Sequence, residues 1–148
     1  MVKRIILLVE DNLDDIKLTQ RAFSKCKIAD KINLEIACSG DDALNFLFGT
    51  GEHINRNTRV MPAVILLDLN LPRINGFQIL ERIRADERTK FIPVIILTSS
   101  KEVQDIKRAY ALGANSYILK PVDFEKFRDA AQQLGLYWVS LNELPPPD

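Results

Sequence analysis

Four apolar runs constrain this chain more than anything else in it: Arg4–Val9 (RIILLV), Ala63–Leu67 (AVILL), Ile92–Leu97 (IPVIIL) and Ser116–Leu119 (SYIL). The first three are rich in Ile, Val and Leu without polar alternation, as strands covered on both faces require. A fifth run, Ile32–Ala37 (INLEIA), alternates and is expected near a sheet edge. Between the runs, helical spacing recurs: Leu13, Ile16, Gln20 and Phe23; Ala43, Leu44, Leu47 and Phe48; Phe77, Leu80, Ile83 and Arg84; Val103, Ile106, Ala109 and Tyr110. Strand and helix alternating five times predict an α/β fold, a doubly wound five-stranded parallel sheet with helices on both faces. With 148 residues, 47% of them apolar, the chain can bury one core. A single domain is expected, its core over about 3–134 and a C-terminal extension over 135–148.

Each run ends in a group with chemistry. Glu10 and Asp11 follow the first, Asp68 the second, Thr98 and Ser99 the third, and Lys120 the fourth. In a parallel sheet these positions share the carboxyl edge, where ligands bind. Asp68 poses the sharpest question, because a buried, unpaired carboxylate costs several kcal/mol or takes up a proton. A capping role fits poorly, since Pro72 separates Asp68 from the next helix. Asp14 and Asp15 are expected to cap the first helix, which leaves Glu10 and Asp11 free for a site.

Two carboxylates about 5 Å apart repel by about 3 kcal/mol at an effective dielectric of 20. A divalent hard cation removes that cost, and an oxygen-only cluster suits Mg²⁺. A carboxylate flanked by Mg²⁺, a lysine and a hydroxyl is placed to attack a phosphoryl group, because both positive charges neutralise the transferring oxygens.

VEDN at 9–12, DLNLPRING at 68–76, TSS at 98–100 and YILKP at 117–121 resemble, in order, the receiver domain of two-component response regulators. The resemblance implies the flavodoxin-like receiver fold with strand order 2-1-3-4-5, and a phosphoacceptor signalling protein rather than an enzyme. It implies Asp68 as phosphoacceptor, with Mg²⁺ held by Glu10, Asp11, Asp68 and the backbone carbonyl of Asn70. It further implies Thr98, Ser99 and Lys120 around the phosphoryl group, Thr98 with Tyr117 as the switch, and a cis bond before Pro121. Signalling is expected through the face of the fourth helix, fifth strand and fifth helix.

Two segments exceed a minimal receiver. The connection FGTGEHINRNTRVMP (48–62) outruns an ordinary loop and carries the only histidine, His53, expected to be exposed. In the last helix, Phe124, Phe127, Ala131, Leu134, Trp138 and Leu141 form a stripe. Around Leu134–Val139 the apolar residues occupy almost every face. Tyr137, Trp138, Val139 and Leu141 are therefore expected at a homodimer interface. The loop and the Trp-containing tail are similar to phytochrome response regulators, which implies a phytochrome histidine kinase as partner.

Other classes fit less well. A phosphohydrolase of the haloacid dehalogenase type wants a second acid two positions after the nucleophile, where Asn70 stands. A flavin binder wants a phosphate loop where Glu10 and Asp11 would repel an anion. Twenty basic residues balance twenty acidic ones, and no helix-turn-helix follows residue 141, so direct nucleic-acid binding is not expected. No apolar run reaches membrane-spanning length. Two unpatterned cysteines, with no cleavable leader in the N-terminal run, lead to the expectation of a reduced, cytoplasmic protein.

Overall fold

The computed structural model describes residues 2–146. Five strands, β1 (Arg4–Val9), β2 (Ile32–Ala37), β3 (Val64–Leu67), β4 (Val94–Thr98) and β5 (Ser116–Leu119), form one sheet ordered β2-β1-β3-β4-β5. All four pairings are parallel. The alternating run is indeed an edge strand, and the fold is the flavodoxin-like one with strand order 2-1-3-4-5.

The helices are α1 (Leu13–Ser24), α2 (Gly40–Phe48), α3 (Gly76–Ala85), α4 (Val103–Ala111) and α5 (Phe124–Gly135). Successive strand residues point to opposite faces, so the sheet carries two cores. Leu7, Val9, Ile65, Leu67 and Ile96 face α2, α3 and Ala109 of α4. Ile6, Leu8, Val64, Leu66 and Ile95 face α1 and α5. Leu13 and Val103 fall outside the helix faces expected of them: both are exposed. Each opens its helix at the sheet's carboxyl edge, with no strand left to cover it.

Helix starts follow the sequence where a short polar side chain precedes them. Asn12, Ser39 and Asp123 accept from the backbone three residues on, and Asn75 forms a reciprocal capping box with Gln78. Asn12, rather than Asp14 or Asp15, therefore caps α1, which frees Asp15 for another task.

The long connection is not loose. Gly49 turns left-handed at the end of α2, and a short 3-10 helix spans Gly51–His53. Arg56 then reaches back to donate to the carbonyls of Phe46, Leu47 and Val60, its guanidinium stacked 4.2 Å from the Phe46 ring centroid. The first two are C-terminal carbonyls of α2 that lack a partner within the helix, and the third belongs to the loop itself. His53 is half-buried rather than exposed: its Nε2 lies 2.9 Å from Asp42 Oδ1 and its ring packs edge-on against Phe46. Arg56→Ala should destabilise the fold by about 2 kcal/mol, measured by chemical denaturation, because three carbonyls lose a charged donor.

The tail departs from the single last helix expected to carry the stripe from Phe124 to Leu141. At Gly135 the α-helix gives way to a π-helix, Leu136–Leu141, closed by the Asn142 amide donating to the Tyr137 carbonyl at 2.7 Å. Lacking a side chain, Gly135 lets the helix approach Ile28 and Ile32. The wider turn that follows brings Val139 onto the core. Val139 is 4% exposed and its carbonyl accepts from Arg4 Nη1 at 2.9 Å. Trp138 packs against the same cluster, while Leu136, Tyr137 and Leu141 remain exposed. Much of the tail is thus covered by its own chain, which corrects the expectation that Val139 is free for a partner. Among the described residues no helix is long and apolar enough to cross a membrane.

Candidate phosphorylation and metal site

The chain reverses its direction of winding between β1 and β3, and the crevice at such a point is where parallel sheets bind ligands. Register makes the crevice chemical. Val9 pairs with Leu67, so Glu10 and Asp68 leave the sheet side by side. Thr98 pairs with Leu119 at the other end, and the Lys120 amide continues the pairing by donating to the Thr98 carbonyl at 2.8 Å.

Four of the groups expected at this edge converge. Glu10, Asp11 and Asp68 each offer a carboxylate oxygen, and these oxygens lie within 4.8 Å of one another. Glu10 and Asp68 are buried and Asp11 is exposed. Lys120 Nζ donates to Asp68 Oδ2 at 3.1 Å and to both Glu10 oxygens at 3.1 and 3.2 Å. Asp68 is not an unpaired buried charge: it is paired with Lys120, and Asn75 rather than Asp68 caps α3.

Thr98 is fully buried, with the Ser100 amide at 3.5 Å from its hydroxyl oxygen, and Ser99 is exposed beside it. Tyr117 donates its hydroxyl to the Ser100 carbonyl at 2.9 Å, tying β5 to the loop before α4. Ser100 Oγ donates to Asp105 and accepts from the Glu102 amide, so it supports the start of α4. The Asn70 amide lies 3.3 Å from Asp68 Oδ1, which fixes the turn after β3. No peptide bond among the described residues is cis. The Lys120–Pro121 bond is therefore trans, contrary to the expectation. Lys120 reaches the acids from a trans turn, so aiming it requires no cis bond.

One site residue escaped the sequence reading. Asp15 Oδ2 accepts from Lys120 Nζ at 2.7 Å, the shortest of the four contacts. Asp15 stands in the first turn of α1, which starts directly after the Glu10–Asp11 segment, so its nearness to the site was open to reading. Assigning it to a cap hid it.

Burial, followed by the hydrogen bond and charge of Asp68, pushes Glu10 up to about 8 against the opposing pull of Lys120. Burial would also raise Asp68, but Glu10 and Lys120 outweigh it and hold Asp68 below the usual carboxylate range. Burial alone would lower Lys120, yet Asp15, Asp68 and Glu10 keep it firmly protonated. Three acids facing one ammonium leave uncompensated negative charge, and the donors are all hard oxygens. The set therefore fits Mg²⁺ or Mn²⁺.

A pH dependence follows. A proton held by folded Glu10 with a pKa of about 8, against an ordinary 4.5, stabilises the fold in acid, and that contribution is lost as pH rises through 8. The depressed Asp68 value acts in the opposite sense, only below its ordinary 3.8. Metal-free protein should therefore melt lower at about pH 9 than at about pH 6, and Mg²⁺ should raise the melting temperature more at the higher pH. Equal Mg²⁺ protection at both values in thermal melts would contradict this.

Comparison with known proteins agrees with the geometry. Residues 6–132 match the model of the response regulator receiver domain. The chain belongs to that family. As such it is a phosphoacceptor signalling module rather than a conventional enzyme, and the acidic triad is its divalent-cation site. It is 38% identical to the probable methanogenesis regulatory protein FilR2 of Methanothrix harundinacea, over 97% of this chain and 88% of that one. The phosphorylated cyanobacterial phytochrome response regulator RcpA superposes with a TM-score of 0.87 at 33% identity, covering 97% of this chain and 99% of its own. The bacteriophytochrome response regulator AtBRR is 44% identical with a TM-score of 0.76, covering 97% and 100%.

Proposed function

We propose that this receiver takes a phosphoryl group from a phytochrome histidine kinase onto Asp68. The observation that carries the chemistry is a buried carboxylate at the β3 tip, paired to Lys120 and adjoining two further acids. An Asp68 oxygen forms the new P–O bond as the P–N bond of a kinase phosphohistidine breaks, and the departing imidazole takes up a proton. Bound Mg²⁺ supplies charge neutralisation for the transferring oxygens. Glu10, Asp11, Asp68 and the Asn70 carbonyl would hold it. Lys120 pairs with the phosphoryl group, and Thr98 donates its hydroxyl to it, with the exposed Ser99 leaving room beside it.

Thr98 and Tyr117 carry the signal outward. Rotation of Thr98 toward the phosphoryl group frees space beneath it, and Tyr117 gives up the Ser100 carbonyl to fill that space. The output face consists of α4, β5 and α5, where Val103, Tyr110 and Leu119 are exposed, with Val122 exposed on the β5–α5 connection. A homodimer would use the exposed part of the tail, Tyr137 and Leu141, beside the half-buried Trp138. The tail packs on Arg4, Ile28 and Ile32 and runs on directly from α5, so a dimer there would adjoin the output face. The balanced charge gives nucleic acid no electrostatic foothold. Cys26 and Cys38 are free thiols, in keeping with a cytoplasmic setting.

The kinase assignment is supported by likeness to RcpA and AtBRR along nearly the whole chain, tail included. Similarity to FilR2 over the same span favours a second reading, a kinase of another sensory class. Phosphotransfer profiling of the purified chain against a panel of histidine kinases separates them. Fastest transfer from a phytochrome kinase supports the first, and fastest transfer from another class rejects it.

A further inference from the structure

We infer that Asp15 is a positioning residue that holds Lys120 back from the phosphoryl group and thereby limits how firmly, and for how long, Asp68 stays phosphorylated. The inference rests on the reading of Asp68 as phosphoacceptor and of Lys120 as its partner. A lysine ammonium has three N–H donors and no acceptor. Here all three are committed: one to Asp15 at 2.7 Å, one to Asp68 at 3.1 Å, and one shared between the two Glu10 oxygens at 3.1 and 3.2 Å. A phosphoryl group on Asp68 must draw donors from this set.

Asp15 is the strongest rival for them. Its contact is the shortest, and it comes from α1, whereas Glu10 and Asp68 come from the sheet. Lys120 is thus stretched between the sheet tips and a helix flank. The Asp15 side chain is 31% exposed and that of Lys120 only 14%, so water screens the pair only in part. The backbone around Asp15 is independently fixed, because its amide is the one that caps onto Asn12. The carboxylate therefore stands ready to reclaim the ammonium in the unphosphorylated state. Asp14 is exposed on the same turn and makes no such contact, which supplies a matched control.

The test compares wild type, Asp15→Asn, Asp15→Ala and Asp14→Asn, each first confirmed folded by its melting curve. Beryllofluoride with Mg²⁺ is the probe, and its affinity is measured by titration calorimetry. Phosphoryl loss is followed separately: water attacks phosphorus, the P–O bond to Asp68 breaks, and the free carboxylate and inorganic phosphate are released. Nitrogen-15 spectra of the Lys120 ammonium report its partners directly. Asp15→Ala should bind beryllofluoride about five-fold tighter, the upper end of what a partly exposed ion pair is worth. Its phosphoryl lifetime should lengthen in proportion, and the Lys120 nitrogen signal should shift before any ligand is added. Asp15→Asn should fall between wild type and Asp15→Ala, and Asp14→Asn should resemble wild type. Unchanged or weaker beryllofluoride binding by Asp15→Ala overturns the inference, as does an equal gain in Asp14→Asn, which would show a diffuse charge effect. If wild type itself binds no beryllofluoride, the phosphoacceptor reading fails and this inference with it.

Discussion

Asp68→Asn is expected to abolish phosphoryl incorporation from acetyl phosphate, a loss on the order of 1,000-fold or more read by intact-protein mass. The amide has the shape of the carboxylate but no nucleophilic charge. Folding should suffer only modestly. Neutralising Asp68 relieves its like-charge repulsion with Asp11, about 3 kcal/mol at 5 Å and an effective dielectric of 20. Lys120 loses one of its three acids, and because the fold holds Asp68 below the usual carboxylate range that loss outweighs the relief. The melting temperature should therefore fall by a few degrees while incorporation is lost outright, so chemistry and stability separate in one variant. Asp11→Asn leaves the nucleophile in place and should instead raise the Mg²⁺ concentration needed for labelling. Residual incorporation on Glu10 or Asp11 in the Asp68→Asn protein would displace Asp68 from its role.

The sheet and the site were legible for a shared reason. Buried parallel strands must be apolar on both faces, so any charge at their ends stands out against the pattern. Asp68 after AVILL and Lys120 after SYIL are visible in that way. What stayed hidden depends on side-chain direction rather than on strand position. Asp15 reads as a capping acid until Asn12 is seen to do the capping. Arg56 reads as a loop charge, yet three carbonyls converge on it. The tail misled for a different reason. An apolar stripe spaced for an α-helix points Trp138 inward, but the π-turn after Gly135 places Val139 there. Nothing in local propensity announces that change of pitch, because it arises from close packing on Ile28 and Ile32.

Gly76→Ala should have the second large effect, on stability and metal binding together. Gly76 opens α3 directly beneath the turn that carries Asp68 and Asn70, and its amide donates to the Leu69 carbonyl at 3.1 Å. Its backbone is not left-handed, so the constraint is space. A Cβ there would collide with the Asp68 carbonyl oxygen and would stand 2.7 Å from Leu69 Cα. Both are backbone atoms next to a buried strand and cannot swing aside as a flexible side chain would. Overpacking of this kind costs about 1–3 kcal/mol. The movement that relieves it must shift the residues on either side of the Asp68 carboxylate, so Mg²⁺ affinity should fall with stability. Gly113→Ala provides the contrast. Gly113 is left-handed, with φ of 103°, and an added Cβ meets only the Arg84 side chain. That variant should lose about 1–2 kcal/mol to backbone strain, yet bind Mg²⁺ as wild type does, because Gly113 precedes β5 at the sheet's opposite edge. Mg²⁺ titration and urea unfolding of the two variants decide the matter. Wild-type Mg²⁺ affinity in Gly76→Ala would show that the acids are positioned independently of the β3–α3 turn.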